Sequence, residues 1–265
     1  MASPHPLQPL HDALQEIEQA AAPVTGRATD YPAGWQIAPH AHSKHQLIYA
    51  VRGVMVVQAD AGRWVVPPTR GIWMRAGMTH AIRCVGEVHM RSLLVAPDAA
   101  PRLLDDTQAV GISPLLRELI RAAMDVAQPY AAGTRDGRVM RLILDELRAL
   151  PVLPLHLQLP TDPRLQRLCE ALQRRLDDDA TLTDWAQRLG IDVKTIQRLF
   201  LKETGMTFGQ WRQQARLLRA LELLATGEKV IAIALALGYD SPSAFATMFR
   251  RQFDQTPSQF FSAPA

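Results

Sequence analysis

IQRLFLKETGMT at 196–207 and IALALGYDSPSAFATMFRRQFDQTPSQF at 233–260 decide the architecture of the C-terminal third. Around them helix start and stop signals are dense. Thr181, with Asp184 three residues on, makes a capping box for LTDWAQRL, which Gly190 ends. Asp192 caps VKTIQRLFLKE, which stops at Gly205. Thr207 with Gln210 opens a long helix from Phe208 to about Thr226, and Gly227 ends it. VIAIALAL then runs to Gly238, Ser241-Pro242 supplies a cap and an N1 proline, and Thr256-Pro257 repeats that arrangement for a last turn. Helix, glycine turn, helix therefore occurs twice, at 182–203 and 230–253. No strand signal interrupts the chain from Arg164 onward.

Upstream, PVLPLHLQLPTDP at 151–163 carries four prolines in thirteen positions. Proline cannot continue a helix and biases its predecessor toward extended backbone, so this stretch reads as a linker and a domain boundary. Before it, apolar pairs at Leu115-Leu116, Leu119-Ile120 and Ala123-Met124 recur at helical spacing, as do Met140, Leu142-Ile143-Leu144 and Leu147. Two helices joined through 131–137 make a hairpin. Its surplus of Leu and Ile fits a second subunit or the neighbouring β region equally well. From about Tyr31 to Val95 the texture is β. Short runs LIYAV, VMVVQ and RWVV are broken by Gly53, Asp60-Ala-Gly62, Pro67-Pro68, Gly77 and Gly86, the spacing of an antiparallel sandwich or small barrel. Residues 1–25 mix proline with a helical-looking piece around Asp12 to Ala21 and read as an arm. The fold class is α+β: an antiparallel β-barrel with a helical hairpin, then an all-α domain with two helix-turn-helix units.

Composition excludes several classes. Cys84 and Cys169 are the two cysteines of 265 residues and fall in different domains, which rules out a disulfide framework or a cysteine zinc site and fits a reducing compartment. The opening MASPHPLQPLHDALQEIEQA lacks a basic start followed by an apolar run, so no signal peptide is expected. No apolar run nears the roughly 20 residues a membrane span needs. A cytoplasmic location follows as the expectation. The net charge of +3 says little, but residues 194–265 hold nine basic and five acidic side chains. That balance suits nucleic acid and an ordinary solvated helix surface alike.

The two quoted stretches resemble the signatures of the AraC/XylS family of bacterial transcription regulators, including Gly238-Tyr239, Phe245, Phe249 and Thr256-Pro257. The resemblance covers about a hundred residues. It implies sequence-specific binding to double-stranded promoter DNA and RNA polymerase as a partner, while the surplus of Leu and Ile on the hairpin suggests a homodimer. The residues agree with DNA reading on their own terms. Val193, Ile196, Leu199 and Phe200 share one helix face and read as core, leaving Lys194, Thr195, Gln197 and Arg198 for the groove. Arg suits guanine and Gln suits adenine, each through paired hydrogen bonds. In the second unit Phe245, Met248 and Phe249 face inward, while Ser243, Ala246, Thr247 and Arg250 remain outside. Ala246 and Thr247 are smaller than the family's usual residues, so this half is expected to position more than to specify. About 20 residues of helix between the units span roughly 30 Å, near the pitch of B-DNA. Arg212, Arg216 and Arg219 on that helix are candidates for phosphates, or equally for ion pairs with Glu203 or Glu222. Asp254 stands where the family usually has glycine, and Phe260-Phe261 lacks its frequent arginine.

Five of eight histidines lie between 40 and 89. His40, His42 and Gln46 share parity, so one extended strand would point them to one side, and His80 follows Gly77 by three residues. This arrangement resembles the two-part motif of cupin barrels, which serve as sensor domains in many AraC-like regulators. The domain plan is then a cupin-like sensor at 1–100, a hairpin and dimerisation element at 101–150, the linker at 151–163 and a DNA-binding domain at 164–265. Three imidazoles with an oxygen ligand would hold a divalent metal as cofactor or effector. Gln46 replaces the expected Glu, and a neutral amide is the poorer ligand, so the reading leans to a metal-free effector pocket lined by His40, His42, Gln46 and His80. Tyr49, Met55, Trp64, Trp73 and Met74 are its wall or the core. The functional reading is a non-enzymatic, ligand-responsive transcription regulator. The alternative is a cupin-type metalloenzyme with a helical appendage, which lacks an additional acid or base beside the histidines.

Overall fold

The structure, a computed structural model, describes residues 19–60, 62–68, 70–99 and 106–261 and divides into two units. Most of the expected arm, with His5 and His11, lies outside the described residues. The strands in chain order are β1 (Val24–Tyr31), β2 (Gln36–His40), β3 (His45–Ala59), β4 (Gly62–Val66), β5 (Arg70–Met74), β6 (His80–Val95), β7 (Gln108–Gly111) and β8 (His156–Gln158). No described helix is long and apolar enough to cross a membrane.

The first unit runs to Pro154, leaving out the segment around Trp64. Its antiparallel sheet has the order β1-β6-β3-β5-β7, with β2 on the N-terminal half of β6. The sequence runs LIYAV and VMVVQ, expected as separate strands, are one strand. Gly53 and Gly86 bend β3 and β6 without ending them, because register shifts between Ala50 and Val54 absorb the irregularity and the ladder resumes.

Opposed residues share a face, and the two faces of the sheet divide cleanly. Leu47, Tyr49, Trp73, Leu93 and Val95 point toward the helical hairpin, α1 (Pro114–Ala123) and α2 (Arg135–Leu147), and form one core with Leu116, Leu119, Ile120, Met140, Ile143 and Leu147. Fully burying each large side chain is worth about 1.5–3 kcal/mol, so the hairpin belongs to this unit. Leu115 and Leu142 remain exposed on it. The helix α2 starts earlier than its apolar period suggests, because Thr134 caps it by accepting from Gly137 N.

The second unit contains the segment around Trp64 and the chain from Leu155 onward. Its helices are α3 (Pro163–Arg174), α4 (Leu182–Leu189), α5 (Val193–Thr204), α6 (Phe208–Ala225), α7 (Val230–Ala236), α8 (Pro242–Phe253) and α9 (Pro257–Phe261). The proline-rich stretch is more than a linker: His156–Gln158 forms β8, pairing antiparallel with β4. Gly62 permits this approach. Its φ is +142°, and a Cβ there would lie 2.4 Å from His156 Nε2. Trp64 stacks on His156 with ring centroids 4.3 Å apart, so both belong to this ribbon rather than to an effector pocket.

At the far end Phe249, Phe253 and Phe260 form a ring cluster with centroids 4.6–5.4 Å apart. Phe260 therefore serves the core where the family often has arginine nearby. Asp254 ends α8 at φ +56°, the one described non-glycine residue with positive φ. It takes up the conformation that glycine adopts freely. Asp254→Gly is expected to raise stability by about 0.5–1 kcal/mol through lost strain, read as a higher urea midpoint at unchanged m-value.

Candidate DNA interface and effector pocket

The first helix-turn-helix unit is built on caps that the sequence spells out. Thr181 Oγ1 accepts from Asp184 N while the Asp184 carboxylate accepts from Thr181 N, and α4 ends at Gly190 with φ +64°. Asp192 then caps α5 by accepting from Thr195 N at 2.8 Å and from Thr195 Oγ1 at 2.6 Å. These hydrogen bonds hold the Asp184 and Asp192 carboxyls below the usual carboxylate range. Ile196 and Phe200 are buried, and Val193 and Leu199 half-buried, which turns Lys194, Gln197 and Arg198 to solvent. Thr195 is half-buried, its hydroxyl committed to Asp192.

The second unit repeats the plan. Ser241 accepts from Ala244 N, Pro242 begins α8, and Phe245 and Phe249 are fully buried. Ser243, Thr247 and Arg250 are exposed, and Ala246 is half-buried. Between the two lies α6, 18 residues long, which at 1.5 Å per residue is about 27 Å.

The cations divide into two sets. Among the described residues no carboxylate pairs with Lys194, Arg198 or Arg250. The long-helix arginines are engaged. Arg212 donates to Ala180 O and lies over the Phe208 ring, and Arg216 Nε donates to Leu176 O at 2.8 Å and lies over Tyr239. Arg219 pairs with Glu222 at 3.1 Å. Of the two roles considered for these three, phosphate contact or ion pairing, the structure shows the ion pair with Glu222 for Arg219 and backbone carbonyl contacts for Arg212 and Arg216. Among the described residues Glu203 pairs with none of these three arginines. It accepts from the backbone of Asp162 and Thr161, which holds its carboxyl below the usual range.

In the first unit His40, His42 and His80 come together, with ligand nitrogens within 4.8 Å of one another. They do so by a different route from the parity expected of a single strand. His40 ends β2, His42 lies in the bend that follows, and only Gln46 is in β3. The bend is tied down by Gly77 N donating to His42 O at 2.7 Å. His40 Nδ1 contacts Ala38 O, and His80 Nδ1 contacts Met78 O. A carbonyl can only accept, so each Nδ1 carries the proton and each Nε2 presents a lone pair. Burial pushes His80 down to about 4, and it stays neutral at physiological pH. Gln46 is buried with its amide donating to Ser92 Oγ at 3.3 Å, and its Oε1 has no hydrogen-bond partner among the described residues. Gln46, Ile48, Ile72, Met74, Ser92 and Leu94 share the sheet face opposite the hairpin. Arg75 is exposed; its charge, after burial, lowers His45, which accepts from Ala76 N and stacks on Trp73.

Two residues of consequence were weighed lightly or missed in the sequence. Arg63 of β4 donates to Glu222, a residue 1% exposed on α6. The available signal was a single acid within RLLRALELLA, an apolar setting in which a carboxylate requires a cation.

Residues 23–197 match the model of an AraC-like ligand binding domain, and residues 185–263 that of a helix-turn-helix domain. The HTH-type transcriptional regulator NimR of Escherichia coli (strain K12) is 32% identical over 223 residues, covering 84% of this chain and 81% of NimR. The regulatory protein SoxS of Salmonella typhimurium is 36% identical over 97 residues, 36% of this chain and 91% of SoxS. Among solved structures, ToxT from Vibrio cholerae O395 aligns with 90% of this chain and 97% of its own at 11% identity, with a TM-score of 0.38, too low to bear on the argument.

Because Arg216 is spent on Leu176 and Tyr239, Arg216→Ala is expected to lower stability by about 1–3 kcal/mol and to leave the salt slope of DNA binding unchanged. A slope reduced by about one would return Arg216 to a phosphate.

Proposed function

This chain belongs to the AraC family of DNA-binding transcription regulators, which join a ligand-binding domain to a helix-turn-helix domain, and on that premise we propose which residues read the operator and which hold the effector. It is a regulator, and the metalloenzyme alternative is set aside with its relatives' function. The observation that carries the DNA assignment is the exposed, unpaired face of α5. Lys194, Gln197 and Arg198 stand on a helix whose first turn is held by Asp192, and major-groove readers present the N-terminal residues of such a helix to base edges. Gln197 and Arg198 take base edges and Lys194 takes the phosphate backbone, while Thr195, whose N–H and hydroxyl both donate to Asp192, holds the start of the helix. Ser243, Thr247 and Arg250 of α8 chiefly fix register, since only Arg250 among them is long. The exposed Leu115 and Leu142 support pairing of two chains through the hairpin, and RNA polymerase is the partner of the DNA-bound form.

Arg198→Ala is expected to weaken binding to the preferred operator by about 1–3 kcal/mol while leaving random duplex nearly unchanged. Lys194→Ala should weaken both alike and reduce the salt slope by about one. Binding isotherms on the two duplexes at several salt concentrations separate the cases. Unaltered sequence preference in Arg198→Ala would defeat the assignment.

The effector seats on the Gln46 face against His40, His42 and His80, whose lone pairs accept from a polar organic ligand. One observation favours a second reading, a divalent metal. A metal with bonds of about 2.1 Å spans at most about 4.2 Å between two ligand atoms, so nitrogens within 4.8 Å need little adjustment. The carbonyl contacts of His40 and His80 orient the rings as outer partners of metal-bound imidazoles do. Such an ion would supply Lewis acidity toward an effector's oxygen. Gln46 brings no charge, so affinity rests on the three nitrogens. In tag-free protein, Zn²⁺ titration followed by calorimetry is expected to saturate at one ion per chain and to be lost in His80→Ala. Unchanged uptake in that variant removes the metal from this pocket.

A further inference from the structure

The exposed face of α5 carries one side chain that cannot hydrogen-bond to anything. At 3.6 residues per turn, positions 194, 197, 198 and 201 of that helix fall within about 100° of arc. Lys194, Gln197 and Arg198 are polar; the fourth is Leu201, which is 58% exposed. It points between the directions of Gln197 and Arg198, one turn further along. Beside it runs a cleft of about 270 Å³, lined by Leu182, Gln197, Leu201, Thr207, Phe208 and Gly209. All six belong to the second unit. Phe208 is buried and meets Phe200 edge-on, with ring centroids 5.7 Å apart. A Cβ at Gly209 would find nothing within 4 Å, so the α6 side of the cleft is open. The Thr207 hydroxyl donates to Gln210 Oε1 and accepts from Gln210 N, which leaves Gln197 as the polar edge of an otherwise apolar lining.

What covers an apolar side chain on a groove-reading face is set by what the groove presents. Guanine, cytosine and adenine offer polar atoms there, and a leucine pressed on them would remove their water and return no hydrogen bond. Thymine offers a methyl group. The cleft is continuous with the reading face through Gln197, which belongs to both. Exposed Lys194, Arg198 and Lys202 flank Leu201 on the helix surface, a setting that suits a polyanion. We propose that Leu201 is a specificity-determining residue that takes a thymine 5-methyl group of the operator. One helical turn, about 6 Å, places that thymine within about two base pairs of the base met by Gln197. The proposal rests on α5 entering the major groove, and adds to that reading an apolar contact that selects thymine against the other three bases.

The probe is the duplex that the wild-type full chain enriches most from a random-sequence library. Each of its thymines is replaced in turn by deoxyuridine, which lacks only the 5-methyl group. Wild type, Leu201→Ala, Leu201→Met and Arg198→Ala are titrated against the set by fluorescence anisotropy. At one position the wild type is expected to lose about fourfold in affinity, the worth of one buried methyl group, while Leu201→Ala binds the two duplexes within about twofold of each other. Leu201→Met keeps an apolar chain and should keep most of the penalty. Ile196 and Phe200, which form the buried side of α5, are untouched, so the thermal midpoint of Leu201→Ala is expected to match that of the wild type. Deoxyuridine penalties that are the same in Leu201→Ala as in the wild type at every position, or absent from the wild type, overturn the proposal and return the leucine to a protein partner or to solvent. Failure of α5 as the reader shows differently, as unaltered preference of Arg198→Ala for the enriched duplex over random duplex. The leucine alone fails when Arg198→Ala loses that preference and Leu201→Ala leaves every deoxyuridine penalty in place.

Discussion

A carboxylate buried in a helical core costs several kcal/mol unless cations meet it, and Glu222 imposes that requirement on the second unit. Its first cation comes from β4, 159 residues earlier in the chain. A strand numbered among those of the sheet domain is thereby bound into the helical unit, and the proline-rich stretch has to form β8 beside it. Gly62 is needed for that approach, and Trp64 finds His156 as a stacking partner because of it. The ribbon gives α6 a rigid backing. That helix in turn lies between α5 and α8, so the arginines that meet Glu222 also support the segment joining the two helix-turn-helix units.

The helical unit was legible in the sequence because its signals are local. Caps and stops act within one turn: Thr181 with Asp184, Thr207 with Gln210, Gly190 and Gly205 each act where the spacing places them. Strand boundaries were less legible. Gly53 and Gly86 look like turns, yet each is a bend inside a long strand, because continuation of the β3–β6 ladder is decided by the partner strand. The structure brings together three of the histidines that the sequence singled out, and their convergence depends on the bend at 41–44 and on Gly77 meeting His42. The Arg63–Glu222 pair had no local trace at all beyond one acid among leucines.

The sheet domain separates two tasks by the period of two along a strand. Odd-numbered residues of early β3 bury themselves under the hairpin, while Gln46 and Ile48 face the other way. The face opposite the hairpin therefore carries the buried Gln46 amide without weakening the core that stabilises the domain. Burial likewise keeps the His80 ring neutral, and a neutral ring costs far less to bury than a charged one.

Each unit also holds one cysteine shielded from reaction. Cys84 lies opposite Met55 in the sheet, with burial pushing its thiol up to about 11, and Cys169 sits in the core of α3 with its thiol raised likewise. Burial keeps both thiols in the protonated form and out of reach of the oxidants and alkylating reagents that attack a thiolate while the fold stays closed. Thiol labelling then becomes a pair of clocks, one timing the opening of the sheet domain and the other that of the helical domain.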